Sequence, residues 1–373
     1  MSSSSVLTEF PLRYFDLLIG VDPATRDKKK KYDKDAVQDR TLLAVEAQAR
    51  QARLADAKVK VQFSEFAQAH LQDQVADVLA DRLTAIDEVA SSLFDLTADY
   101  YALLDTLSAK VVTLNQLDPA IKKVPWLVDD LLKLVNQPKY RNRTASGALI
   151  KDVKTGLRFL GVEALQLIIP VYGMKRCMPH STEPFHRLKT DLWDYSLATA
   201  IAAKTLADYY GESSFTAFCA GLYHPLGHIA VTRNYLRTYQ QVKREELLKA
   251  REARDVGLID TLDELEADAG MLSEQLTEHA AVLSADLTSR WGLRRLPLCQ
   301  TLDQLAEGIG FSGASPMARV VQQAQTFVQW QQLKKKQRLS SDEMQAMLKA
   351  VGMTKETLQL LLSTNLQKLD VDL

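Results

Sequence analysis

The chain is poor in the residues that punctuate β-proteins and disulfide scaffolds. Across 373 residues there are 15 glycines, 11 prolines and 3 cysteines. Runs of alternating β-branched residues closed by Asn-Gly or Asp-Gly turns are nearly absent, which argues against a sheet protein. Cys177, Cys219 and Cys299 are odd in number, widely spaced and without a CxxC pair. That pattern excludes a disulfide framework and a cysteine-rich metal knuckle, and it fits a reducing compartment. The start, MSSSSVLTEF, has no basic segment followed by an apolar one, so a secretory signal is not expected. The longest apolar patch, Leu165 to Met174, is interrupted by Gln166 and Pro170 and is too short to span a bilayer. A cytoplasmic protein is the expectation. Formal net charge is −1, so no global field favours nucleic acid or an anionic membrane. GxxxxGK[ST], GxGxxG and GxSxG are all missing, which removes the usual support for nucleotide cradling and serine hydrolysis.

What is present is helical periodicity. Hydrophobic residues make up 46% and charged residues 25% of the chain, enough for a sizeable core. Apolar residues recur at i, i+3, i+4 and i+7 almost throughout, so the expected fold class is all-α. Three regions differ in character. Residues 1–108 begin with an irregular stretch holding Pro11 and Pro23, then the run Arg26-Asp27-Lys28-Lys29-Lys30-Lys31. Asp27, Asp33 and Asp35 dilute that run, so it reads as a solvated loop rather than an anion site. From Asp35 onward, Leu42, Val45, Ala49 and then Leu79, Leu83, Ile86, Val89 and Leu93 predict long helices, with a hairpin as the arrangement considered. Tyr100, Tyr101, Leu103 and Leu104 lead into the next region without a linker, which predicts packing within the chain. Residues 109–310 form the central region, with a charged helical insert near 240–275. Residues 311–373 read as a short helical extension, in which Ser340 and Glu343 predict a capping box and Gly352 separates two short helices.

The chemistry-bearing residues concentrate in the centre. One small-residue helix opens with Trp193-Asp194-Tyr195-Ser196, and a second, FTAFCAGLY, runs into His224-Pro225-Leu226-Gly227-His228. Three further segments stand in order along the chain. IKKVPWLVDDLLKLVN (121–136) carries Pro125, Leu127, Leu132 and Asn136. DVKTGLRFLGVEALQLIIPVYGMKR (152–176) contains Leu160-Gly161, a helix stop explained by glycine's tolerance of positive φ. EHAAVLSADLTSRWGL (278–293) carries His279 and a Trp-x-Leu exit.

This set resembles the HD-type phosphohydrolases, and more closely the HDOD output domains of bacterial signalling proteins. The resemblance implies an HD-like multi-helix domain with long N-terminal helices and a short C-terminal helical extension added to it. In those families the first helix carries a His after the Trp, and the second carries His-Asp. Here Tyr195 stands in place of that His and Pro225 in place of that Asp. Val124 replaces the Asp that precedes Pro125, Gln137 replaces a Ser after Asn136, and the double His after the third helix is missing. A water-activating metal needs several neutral imidazoles and carboxylates around one point. Tyr is a poor substitute for imidazole and Pro offers no donor, so neither a catalytic residue nor a metal or other cofactor is expected.

His224 and His228 lie four apart and would share a face on a continuous helix. Pro225 disfavours the αR conformation at His224, and Gly227 weakens any helix continuing beyond it. A third ligand would have to come from Asp194 or His279 by analogy. Trp193, Asp194 and His279 are therefore the expected walls of a remnant pocket. Tyr195 is expected as an interior residue with its hydroxyl satisfied, by His224 or a backbone carbonyl if the pocket is closed. His70, His180 and His186 read as surface residues, and Cys219 as core. The functional expectation is a non-catalytic signalling scaffold or output module acting through protein partners, with no nucleic acid or membrane involved and with homo-oligomerisation open. The competing readings are an active HD-type phosphohydrolase and a pocket that binds a nucleotide or second messenger without cleaving it.

Overall fold

A computed structural model describes residues 3–21, 44–93, 95–138 and 149–369. Every regular element among them is a helix, as the periodicity requires. The N-terminal region gives α1 (Ser3–Ile19), α2 (Ala44–Thr84), α3 (Ile86–Leu93) and α4 (Ala98–Leu107). The central region continues with α5 (Leu114–Lys122), α6 (Pro125–Val135), α7 (Val153–Cys177), α8 (Leu188–Tyr210), α9 (Ser214–Tyr223), α10 (Leu226–Glu252), α11 (Val256–Glu264), α12 (Ala269–Ser289) and α13 (Leu298–Ala306). The tail adds α14 (Pro316–Lys335), α15 (Ser341–Ala350) and α16 (Lys355–Ser363).

Pro11 lies inside α1 and not in an irregular stretch. The reason is burial. Phe10, Tyr14, Phe15 and Leu18 recur on one face of α1 and are all nearly inaccessible, and this outweighs the one backbone bond that proline forfeits. The lysine run, Pro23, Leu42 and the start expected at Asp35 lie outside the described residues. The next helix is a single rod, α2, of 41 residues and about 60 Å in length. Leu71, Val75, Leu79 and Leu83 of its C-terminal half are buried, and α2 packs against α10 and α11 of the same chain. α4 belongs to the central core: Tyr100, Leu103, Leu104 and Leu107 are fully buried, and the Tyr100 and Tyr223 hydroxyls are 2.6 Å apart.

The central helices α8, α9, α10 and α12 pack into one core with α14 from the tail. The turn between α9 and α10 sits at its middle. Gly161, with φ 78°, bends α7 where the Leu-Gly stop predicts it. α7 is the one described helix long and apolar enough to cross a membrane, and half of its apolar window is buried within the protein. The capping box of Ser340 and Glu343 forms as expected, and Glu343 also pairs with Arg13 of α1 at 2.6 Å. The tail thereby reaches the N-terminal helix, and Met347, Leu361 and Leu366 bury the extension's own apolar face.

Candidate functional site

The site forms where α8 passes the α9–α10 turn. Ser213 caps α9 by accepting from the amide of Thr216, and α9 then runs buried to Tyr223. Helix geometry ends at His224-Pro225, where the sequence predicts a break, and α10 begins at Leu226. His224 nevertheless keeps αR angles of −56° and −29°, against the expectation that Pro225 would drive it out. Ser284 of α12 holds it there. Its Oγ accepts the Gly227 amide at 2.8 Å and donates to the His224 carbonyl at 2.5 Å, so both ends of the turn are tied to one hydroxyl.

The turn brings Tyr195, His224 and His228 together. The Tyr195 ring lies edge-on to His224 with centroids 4.8 Å apart, and both Tyr195 and His224 are 6.2 Å from His228. The Tyr195 hydroxyl accepts from Nε2 of Gln329 on α14 at 2.9 Å, rather than reaching His224 or a carbonyl. Nδ1 of His224 lies 2.7 Å from the Gly221 carbonyl. A carbonyl only accepts, so Nδ1 carries the proton and Nε2 is left with the lone pair. Nε2 of His224 and Nδ1 of His228 are buried without a hydrogen-bond partner among the described residues.

Helix α1 covers this cluster. The Tyr14 ring sits 4.9 Å from Tyr195 and Phe15 sits 5.1 Å from His228, while the Tyr14 hydroxyl donates to Oε1 of Gln332 at 2.9 Å. Sequence reasoning missed Tyr14, Phe15, Gln329 and Ser284. The one local signal was the aromatic face of FPLRYF, together with a glutamine in the buried stripe of α14.

Trp193, Asp194 and His279 do not join the cluster. Trp193 packs its ring beneath the Lys175 ammonium, 5.6 Å away. Asp194 is exposed on the wall of a separate cavity of about 730 Å³, where partial desolvation and then Asp191 raise its carboxyl above the usual range. His279 is partly exposed beside Glu278 at 3.8 Å. His70, His180 and His186 are on the surface, and Cys219 is fully buried, as expected.

Whether these residues suit a divalent metal can be judged from the donors. Two imidazole nitrogens are buried without a partner among the described residues, and Tyr195 is committed to Gln329. Among the described residues no group of three or more His, Cys, Asp or Glu side chains converges. A hydrolytic centre takes at least three protein ligands and keeps a position for water. The residues present do not fit such a centre.

Burial keeps both imidazoles neutral. It pushes His224 down to about 4, partly opposed by the Gly221 bond, and His228 down to about 3, aided by His224. The unfolded chain binds these protons near pH 6.5 while the folded chain resists them, so the stability they confer is complete above pH 6.5 and falls as pH drops towards 4. At pH 5 the loss should be roughly 2 kcal/mol per imidazole. Urea unfolding at pH 7.5 and pH 5 checks this: a His224→Gln/His228→Phe variant should lose most of the decline, and an unchanged slope would contradict it.

A second cavity, of about 320 Å³, is lined by His228 of α10 and by residues of α1, α12, α13, α14 and α15.

The HDOD domain profile matches residues 95–295, more than half of the chain, and its span begins just before α4. No curated protein matches the chain. Three solved structures are similar to it. One is a candidate phosphohydrolase of Shewanella amazonensis SB2B, with 18% identity, covering 76% of this chain and 95% of that chain, TM-score 0.48. A candidate metal-dependent phosphohydrolase of the same organism has 13% identity, covering 77% and 99%, TM-score 0.43. The third is the MmoQ response regulator of Methylococcus capsulatus Bath, with 19% identity, covering 73% and 98%, TM-score 0.32. Likenesses at these scores say nothing about activity here.

Proposed function

The chain belongs to the HDOD family, and from that premise we propose that it is a non-catalytic signalling output module that acts through protein contacts in the cytoplasm. The observation that carries this reading is the packing around Tyr195, which stands where the resemblance to HD-type phosphohydrolases implies a metal-binding His. The Tyr195 hydroxyl is bound to Gln329, and Tyr14 and Phe15 cover Tyr195 and His228 from the α1 side. A hydrolase at this place would need an open coordination position and a path for a phosphate ester. The cluster offers a buried aromatic interior instead.

Contacts with other proteins find support on α2. Val59, Phe63 and Phe66 are exposed on α2 at 65%, 40% and 72%. Their spacing of four and three places them on one helix face. An apolar stripe open to water is the kind of surface a partner helix covers.

The test is enzymatic. Wild-type protein and Pro225→Asp should both fail to cleave p-nitrophenyl phosphate or its bis-ester with Mg²⁺, Mn²⁺, Zn²⁺ or Ni²⁺. One restored carboxylate still leaves Tyr195 where an imidazole is needed, and a ligand set without its supporting shell does not work. Metal-dependent turnover that disappears in His224→Ala would overturn the reading.

A further inference from the structure

Helix α2 is fixed to the protein by its C-terminal half. Arg82 bonds Thr238 and Gln241 of α10, and Gln68 donates from Nε2 to Asp268 at 3.3 Å. Ala67 is the first buried side chain of α2 among the described residues. Before it, Lys58 to Phe63, Glu65 and Phe66 are all exposed. The stripe of Val59, Phe63 and Phe66 is therefore carried on a rod anchored beyond it. Leu71, Val75 and Leu79, which face the protein's own core, lie on a different face of the rod, so covering the stripe does not compete with the anchor. The rod is also charged unequally about the stripe. Lys58 and Lys60 stand before it and Asp73 and Asp77 after it, all four exposed. Lys58 and Asp73 are about four turns apart and lie on nearly the same side. A parallel partner of the same kind would set lysine against lysine and aspartate against aspartate. An antiparallel one sets each basic end against an acidic end.

We propose that the stripe is covered by α2 of a second copy of this chain, lying antiparallel across a two-fold axis. With Phe63 of one copy against Phe66 of the other, Lys58 comes within about 3 Å along the axis of Asp73 of the second copy. The two-fold makes that pairing twice, because the same patch is used on both sides. The aromatic rings supply the burial, and the charges fix direction and register. The paired surface is short, so the dimer is weak, with Kd on the order of 10 µM. The proposal rests on the reading of the chain as acting through protein contacts, and it names the partner of one such contact.

Sedimentation equilibrium of the full chain at low salt, from about 1 µM to about 100 µM, should show a mass rising from 41.8 kDa towards twice that value. Phe63→Glu/Phe66→Glu changes only exposed positions, so it should melt with the wild type yet stay monomeric throughout. Lys58→Asp alone and Asp73→Lys alone should each weaken the dimer about fivefold or more, and the two together should restore it. That reversal separates the antiparallel pair from a parallel one, in which neither charge meets its opposite. A wild type that stays monomeric would overturn the proposal and leave the stripe to a different protein. Dimers that survive Phe63→Glu/Phe66→Glu, or whose charge changes are not reversed by the swap, would overturn it as well. Metal-dependent turnover in the assay above would instead overturn the non-catalytic reading and leave the dimer standing, so the two failures are distinct.

Discussion

Gly227→Ala is expected to cost about 3 kcal/mol or more, a large part of the stability an ordinary domain has. At this point α10 passes so close to α12 that an added Cβ would sit 1.9 Å from the Ala280 carbonyl oxygen and 2.8 Å from the Ser284 amide nitrogen. Those neighbours are backbone and cannot swing aside. The two helices would have to separate, and the Ser284 hydroxyl would lose its grip on Gly227 and His224, at about 1 kcal/mol for each hydrogen bond. Gly310→Ala is the control, because a Cβ there meets nothing within 4 Å and no positive φ is involved. Urea midpoints should place the control within about 0.5 kcal/mol of wild type. Equal stability of the two variants would mean that α10 and α12 do not approach as described.

Tyr14→Ala should release α1 from the cluster. The Tyr14 side chain is fully buried, packed near Tyr195 and hydrogen-bonded to Gln332, so truncation removes about 4 kcal/mol of docking energy. In a helix at one end of the fold, that loss emerges as local opening rather than global unfolding. Hydrogen exchange of the α1 amides should accelerate by about three orders of magnitude, at 1.36 kcal/mol per factor of ten. The uncovered imidazoles regain water, so His228 should also titrate nearer its ordinary range. Unchanged α1 protection would show that Tyr14 is not what seats the helix.

How much of this was written in the sequence differs from residue to residue. The all-helical fold, the Gly161 bend and the Ser340–Glu343 box follow from local rules, and the structure has each of them. Tyr195, His224 and His228 could be brought together because the family resemblance supplies the long-range pairing that spacing alone does not. Trp193 and Asp194 did not follow Tyr195 for a simple reason. Adjacent residues on a helix point about 100° apart, so neighbours in sequence are not neighbours in a pocket. His279 fails in the same way. Ala280 and Ser284 face α10 four residues apart, which turns His279 towards solvent beside Glu278. The cover over the cluster was illegible for another reason. Tyr14 and Gln332 are 318 residues apart, and Tyr195 and Gln329 are 134 apart. Each looks like an ordinary helical residue until the fold is closed. A domain boundary drawn at 108 likewise passes just beyond α4, whose Tyr100 bonds to α7 and α9 far along the chain.

The central claim is that protein side chains fill the site around Tyr195, where the resemblance to HD-type phosphohydrolases implies a metal. It is tested most directly by elemental analysis of the full chain, purified without chelator and then equilibrated with Mn²⁺, Fe²⁺, Ni²⁺ or Zn²⁺ before desalting. The predicted result is far less than one ion per chain for every metal, with no difference between wild type and His224→Ala. About one ion per chain, retained through desalting and lost in His224→Ala, would contradict it.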